Sequence, residues 1–311
     1  MGMVLKKNIL YILLFINLPT KISINFLELK THFFDTNYKL RITFIKMTLE
    51  LNDLCQEVCQ LTRKVGGFIR SEQKIFSTNS IEVKGKNDFV SHVDKSAEMQ
   101  LVEVLSKLLP ESGFIAEEGT SKKKGEIYNW IIDPLDGTTN FIHGIPCFAI
   151  SIALRRNEEL VLGVIYEINL DECFYAWEGS NAFLNGKEIH VSIAATLADS
   201  LIATGFPYYD YTRMDDYMKL FNYFMKHTHG LRRLGSAATD LAYVACGRFD
   251  GFYEYSLQPW DVAAGAFIVK QAGGKVTDFS GKNNFIFGKE IVAGNSTNFE
   301  EFLNTVKEHF K

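Results

Sequence analysis

The residues with the clearest chemical potential lie in one run, Trp130-Ile-Ile-Asp133-Pro-Leu-Asp136-Gly137-Thr138-Thr139-Asn140-Phe141. An apolar segment runs straight into Asp133, and Pro134 cannot continue a central ladder, so the strand is expected to end there. Asp133 and Asp136 are then presented three residues apart across a tight turn. Two carboxylates that close repel unless a cation lies between them, and hard oxygen donors favour magnesium. Gly137 lets backbone approach a ligand closely. Gly137, Thr138 and Thr139 offer amides and hydroxyls at a helix start, which suits phosphate. A plain helix cap would need one carboxylate, not two flanking a proline.

Other candidates are weaker alone. Glu117 and Glu118 follow a short strand, where solvated charges are the ordinary reading. Asp261, after Trp260, sits near the start of an Ala- and Gly-rich helix, where a carboxylate also favours the helix dipole. Ser91 and Asp94 suit a capping box. Glu254 is placed at the end of a strand over Phe249–Tyr253, seven residues before Asp261.

The elements that must position these groups alternate. Apolar residues recur at three and four from Leu51 to Ile69, giving a helix over 48–75, and a second follows over 92–109. Short strands are expected at Phe114–Ala116 and Asn129–Asp133, then a meander over 147–155, 159–168 and 172–177. Asn185-Gly186 signals a hairpin between Ala182–Leu184 and Glu188–Val191. Beyond a seam near 191–200, strands at Ser200–Thr204, Arg232–Leu234, Phe249–Tyr253, Lys275–Thr277 and Ile291–Ala293 alternate with helices over Met214–Lys226, Ala237–Cys246, Val262–Gln271 and Phe299–Phe310. That is a layered α/β (α+β) architecture, with a half over 47–195 and a half over 196–311 completing one catalytic unit.

Composition narrows the class. The 311 residues carry a formal net charge of −4, which gives no basic field for DNA. A mildly acidic protein that handles an anion needs local cations. Five cysteines without a CxxC pair fit reduced thiols in the cytoplasm. Residues 1–46 differ from the rest. Lys6 and Lys7 precede an apolar run from Ile9 to Leu18, but no small-residue cleavage site follows and the run is short for a membrane span. The fold is therefore expected to begin at Met47, with 1–46 as upstream sequence. A genuine anchor or export signal is the alternative, and with it the only expected contact with a membrane.

Together the run at 130–141, Phe114-Ile-Ala-Glu117-Glu118-Gly119 and Gln258-Pro-Trp260-Asp261-Val-Ala-Ala-Gly265 resemble, in order, the signature segments of the inositol monophosphatase family of lithium-sensitive sugar phosphatases. The resemblance spans about residues 48–311. It implies an αβαβα sandwich, a homodimer, lithium sensitivity and magnesium-dependent hydrolysis of a small phosphorylated polyol or sugar, with myo-inositol monophosphate leading. It also implies the roles. Glu117, Asp133, the Leu135 carbonyl, Asp136 and Asp261 would hold metal, and Glu117 with Thr138 would activate water. Gly137 and Thr138 would touch phosphate, while Gly235, Ser236, Ala237 and Glu254 would contact substrate. Asp94 would lie near an outer metal, and Lys84 falls one residue off the family spacing and is left unassigned. Sibling sugar, nucleotide or histidinol phosphatases, and a regulatory role in ribosomal RNA transcription, are the competing functions.

Overall fold

A computed structural model describes residues 26–75, 81–85, 88–208 and 210–310, with side chains from Glu50 onward except those of 81–91. The Ser91 side chain, on which the expected Ser91–Asp94 cap depends, and everything before residue 26 lie outside what is described. Chain contacts divide the protein into two units, 1–47 and 48–311, and both main sheets belong to the second.

The elements are α1 (Phe26–Ile75), β1 (Ile81–Gly85), β2 (Asp88–Ser91), α2 (His92–Leu108), β3 (Gly113–Ala116), β4 (Tyr128–Asp136), α3 (Thr138–His143), β5 (Ala149–Arg156), β6 (Glu159–Glu167), β7 (Glu172–Trp177), β8 (Ala182–Leu184) and β9 (Lys187–Ile189). They continue with β10 (Leu201–Thr204), α4 (Met214–His227), β11 (Gly230–Arg232), α5 (Ala237–Ala245), β12 (Gly251–Tyr255), α6 (Pro259–Gln271), β13 (Lys275–Thr277), β14 (Glu290–Gly294) and α7 (Phe299–His309). One sheet runs β3-β4-β5-β6-β7-β8-β9 and the other β11-β10-β12-β14-β13.

Period-two alternation separates the layers. In β4, Trp130 and Ile132 face α1 and α2, packing with Val58, Ile69, Val93 and Leu101. Ile131 faces the opposite way, onto α5 and α6. In the second sheet Phe252, Ile291 and Ala293 meet those same two helices. Tyr253 and Val292 face outward, onto Phe224 of α4 and Phe302 of α7. The result is the expected αβαβα sandwich. Helices α5 and α6 are apolar on nearly every side because a sheet presses on each flank. Their small residues permit that spacing: a Cβ on Gly163 of β6 would lie 2.8 Å from the Ala264 carbonyl oxygen.

The helix expected over 48–75 runs from Phe26 to Ile75, the strand expected at Arg232–Leu234 is Gly230–Arg232, and three readings change at the site itself. Strand β4 does not stop at Asp133. Its pairing with β5 shifts by one residue between Asp133 and Asp136, then resumes opposite Ala149. The extra residue is a bulge, which accommodates Pro134 without a ladder amide. Glu254 lies inside β12, opposite Ile291, because that strand runs two residues later than its apolar pattern suggests. Helix α6 starts at Pro259, so Asp261 sits within its first turn. There it closes a capping box with Gln258, and a proline at the first position suits a helix start.

Candidate active site

The carboxyl-side end of β4, the loop after β3 and the starts of α3, α5 and α6 meet around a cleft of about 420 Å³. Glu117, Asp133, Leu135, Asp136, Gly137, Thr138, Gly235, Ser236, Ala237, Glu254 and Asp261, all assigned from sequence, line it, and Asp94 is not among the lining residues. Tyr208, Arg233 and Asp240, which sequence reasoning did not single out, line it too.

The β4 bulge aims the two aspartates. Asp133 is 2% exposed, and its Oδ1 accepts the Leu135 amide at 2.9 Å. Oδ2 of Asp136 reaches across to α5, accepting the Ser236 hydroxyl and the Ala238 amide, both at 2.7 Å. Oδ2 of Asp261 accepts the Gln258 amide at 2.7 Å. Each aspartate is thus locked by backbone through one oxygen.

Two glycines make the closeness possible. Gly137 has φ 95°, and a Cβ there would lie 3.0 Å from the Cys147 carbonyl oxygen. Gly235 has φ 94°, and its Cβ would lie 2.8 Å from Asn140 Nδ2. That Asn140 amide donates to the carbonyls of Cys147 and Leu234 at 2.7 and 2.8 Å, tying the α3 and α5 entrances together. Ser151 of β5 donates to the Trp260 carbonyl at 3.1 Å and sets the entrance of α6.

The loop bearing Glu117 has its own brace. Glu98, fully buried on α2, accepts the amides of Glu118 and Thr120 at 2.7 Å and the Thr120 hydroxyl at 2.8 Å. Its only sequence signal was its place one turn after Asp94 on the buried face of α2. Asp94, also buried, accepts the Thr138 hydroxyl at 2.9 Å; the same hydroxyl lies 3.0 Å from the Leu135 carbonyl. The structure thus joins Thr138 to Asp94, a pairing the sequence did not indicate.

The electrostatics are those of crowded, desolvated acids. Burial raises Asp133 well above the carboxylate range, and Glu117, Asp136 and Asp261 push it further in turn. Burial lifts Asp136 to about 6 against the hydrogen bonds from Ser236 and Ala238. Asp261 is raised by burial and then by Asp136. Glu254 is raised to about 8 by burial, partly offset by Arg233. Among the described residues no three Asp, Glu, His or Cys side chains already form a metal-holding group. The donor set nonetheless fits a hard divalent cation. Its members are carboxylates in one cleft, and their mutual repulsion is what an intervening cation relieves.

A sequence model of the inositol monophosphatase family matches residues 50–311. The chain belongs to the inositol monophosphatase family. Nus factor SuhB of Pseudomonas aeruginosa is 41% identical over 252 residues, spanning 79% of this chain and 93% of the relative. Inositol-1-monophosphatase of Mesorhizobium japonicum is 39% identical over 256 residues, 82% of this chain and 96% of the relative. The crystal structure of extragenic suppressor protein SuhB from Bartonella henselae aligns with a TM-score of 0.78 at 40% identity, covering 82% of this chain and 99% of that one. The Thermotoga maritima IMPase aligns at 0.76 and 40% identity, covering 83% and 98%. Membership in the inositol monophosphatase family supports phosphatase activity, in a family that is generally metal-dependent. Among the described residues no helix is long and apolar enough to cross a membrane.

Proposed function

We propose that this protein is a magnesium-dependent phosphoric monoester hydrolase acting on a small phosphorylated polyol, with myo-inositol monophosphate as the leading substrate. The observation that carries the reading is the convergence of Glu117, Asp133, Asp136 and Asp261 on a cleft that also holds the Gly137–Thr139 entrance of α3. Glu117, Asp133, the Leu135 carbonyl, Asp136 and Asp261 would hold the metal. When bound, magnesium supplies Lewis-acid stabilisation of phosphoryl oxygens and lowers the pKa of water.

The chain's own groups supply position. The Thr138 hydroxyl gives its hydrogen to Asp94, so its free lone pairs can accept a hydrogen from an attacking water. Asp94 then stands behind Thr138 as the proton's destination. The Gly137 and Thr138 amides lie where phosphate oxygens would meet the start of α3. Glu254 faces the cleft from β12 and would accept a hydroxyl of the leaving alcohol. Phosphoryl transfer asks mainly for this kind of positioning and charge stabilisation.

The test is phosphate release by the purified chain from inositol 1-phosphate, fructose 1,6-bisphosphate and a 3′-phosphonucleotide, with magnesium and with EDTA. Magnesium-dependent release favouring inositol phosphate is expected. Release of phosphate in EDTA at the same rate would sink the metal reading. Glu254→Gln is expected to raise KM for inositol phosphate about tenfold, the scale of one lost hydrogen bond; unchanged kinetics would remove Glu254 from the substrate site. The relatives named Nus factor support a second reading, a regulatory role independent of catalysis. Rescue of a deletion strain by Asp133→Asn would favour it. Homodimerisation, lithium sensitivity and a cytoplasmic location belong to the proposal on the family's likeness.

A further inference from the structure

The cleft's acids fall into two groups. Burial acts on Asp133, Asp136, Asp240, Glu254 and Asp261, but their charged neighbours differ. Asp133 is pressed by Glu117, Asp136 and Asp261. Asp240 is pressed instead by Glu254 and then Asp136, with Arg233 opposing. Asp240 projects from the first turn of α5, one turn after Ser236. It is 1% exposed, lines the cleft, and its Oδ1 has no hydrogen-bond partner within the protein. A buried carboxyl oxygen without a hydrogen-bond partner is costly.

The nearest cation does not supply the donor. Nη2 of Arg233 donates to the Tyr208 hydroxyl and its guanidinium lies over the rings of Phe206 and Tyr208, 5.0 and 5.3 Å from their centroids, while its buried Nε, like Asp240 Oδ1, has no partner within the protein. The donor to Asp240 must then come from what fills the cleft. Glu254 stands beside it, seated where a Cβ on Gly205 would lie 2.1 Å from its carboxyl carbon. Burial holds both acids toward the neutral form, and a hydroxyl, which donates and accepts, matches a carboxyl group.

We infer that Asp240 is a second hydroxyl-recognising residue, acting with Glu254 to select phosphate esters whose alcohol carries at least two further free hydroxyls. This rests on the phosphatase reading and adds to it a specificity residue. A site built to bind hydroxyls discriminates strongly against analogues that lack them, because its buried acceptors are then left unpaired.

The experiment compares the full chain with Asp240→Ala and Asp240→Asn on inositol 1-phosphate and on phenyl phosphate, which has no alcohol hydroxyl. Asp240→Ala is expected to lower kcat/KM for inositol phosphate by about 10- to 100-fold, chiefly through KM. Turnover of phenyl phosphate should stay within about twofold. Asp240→Asn keeps the size of the side chain and guards against a folding defect; a smaller loss with the same selectivity is expected. Equal losses on both substrates, or no loss on either, would overturn the assignment. If the unaltered protein released phosphate from neither ester, the phosphatase reading itself would fall, and this one with it.

Discussion

Asp133→Asn lowers kcat/KM for inositol 1-phosphate by about a thousandfold or more, without lowering the thermal midpoint of the metal-free protein. The size follows from losing an anionic donor of the proposed metal set, when removal of single electrostatic contacts at active sites already costs about 10²–10³-fold. The stability half has a separate cause. Asp133 is buried among Glu117, Asp136 and Asp261, so an isosteric neutral amide removes repulsion. Its carboxamide oxygen can still accept the Leu135 amide. Thermal melts in EDTA alongside steady-state kinetics check both halves. Substantial activity, or a midpoint lowered by many degrees, would show that Asp133 serves the fold more than the chemistry.

The second large effect is a stability that falls with rising pH when metal is withheld. Glu254 ionises near 4.5 when free and near 8 in the folded protein. Asp136 moves from 3.8 to about 6. Between each pair of values the folded chain holds a proton that the unfolded chain has released, so raising the pH favours unfolding. For Glu254 the contribution is fully present below about 4.5 and is lost by about pH 8. Together the two acids contribute on the order of 8 kcal/mol, at about 1.4 kcal/mol for each tenfold change in proton affinity. Magnesium at millimolar concentration should reverse the trend near pH 8, since a ligand bound only by the native state stabilises it. Urea titrations at pH 5, 6.5 and 8, with EDTA and with magnesium, measure this. Stability that is flat or rising in EDTA across that range would contradict the picture of desolvated acids held together by the fold.

Both effects have one origin. The backbone locks each aspartate through one oxygen before any cation arrives. The site is therefore assembled by the fold, at a cost in repulsion that the unbound protein bears.

Much of this was legible from residue order alone. The Asp133–Thr139 run, Glu117 and the Trp260-Asp261 pair are short, local patterns, and the helices and strands that carry them show clear periods. Layered architecture follows from that alternation, since each amphipathic face needs a partner. The tertiary structure decided what depends on long-range proximity. Pro134 reads as a strand end, yet pairing resumes after a bulge, because β5 supplies a partner opposite Asp136. The Thr138 hydroxyl belongs to Asp94, 44 residues away, because α2 packs against β4. Glu98 looks like an ordinary helix charge until its amide partners on the Glu118–Thr120 loop are seen. Asp240 and Arg233 had no motif at all. Side-chain identity and spacing determine which groups are available within one element, whereas desolvation and charge proximity arise only where separate elements meet.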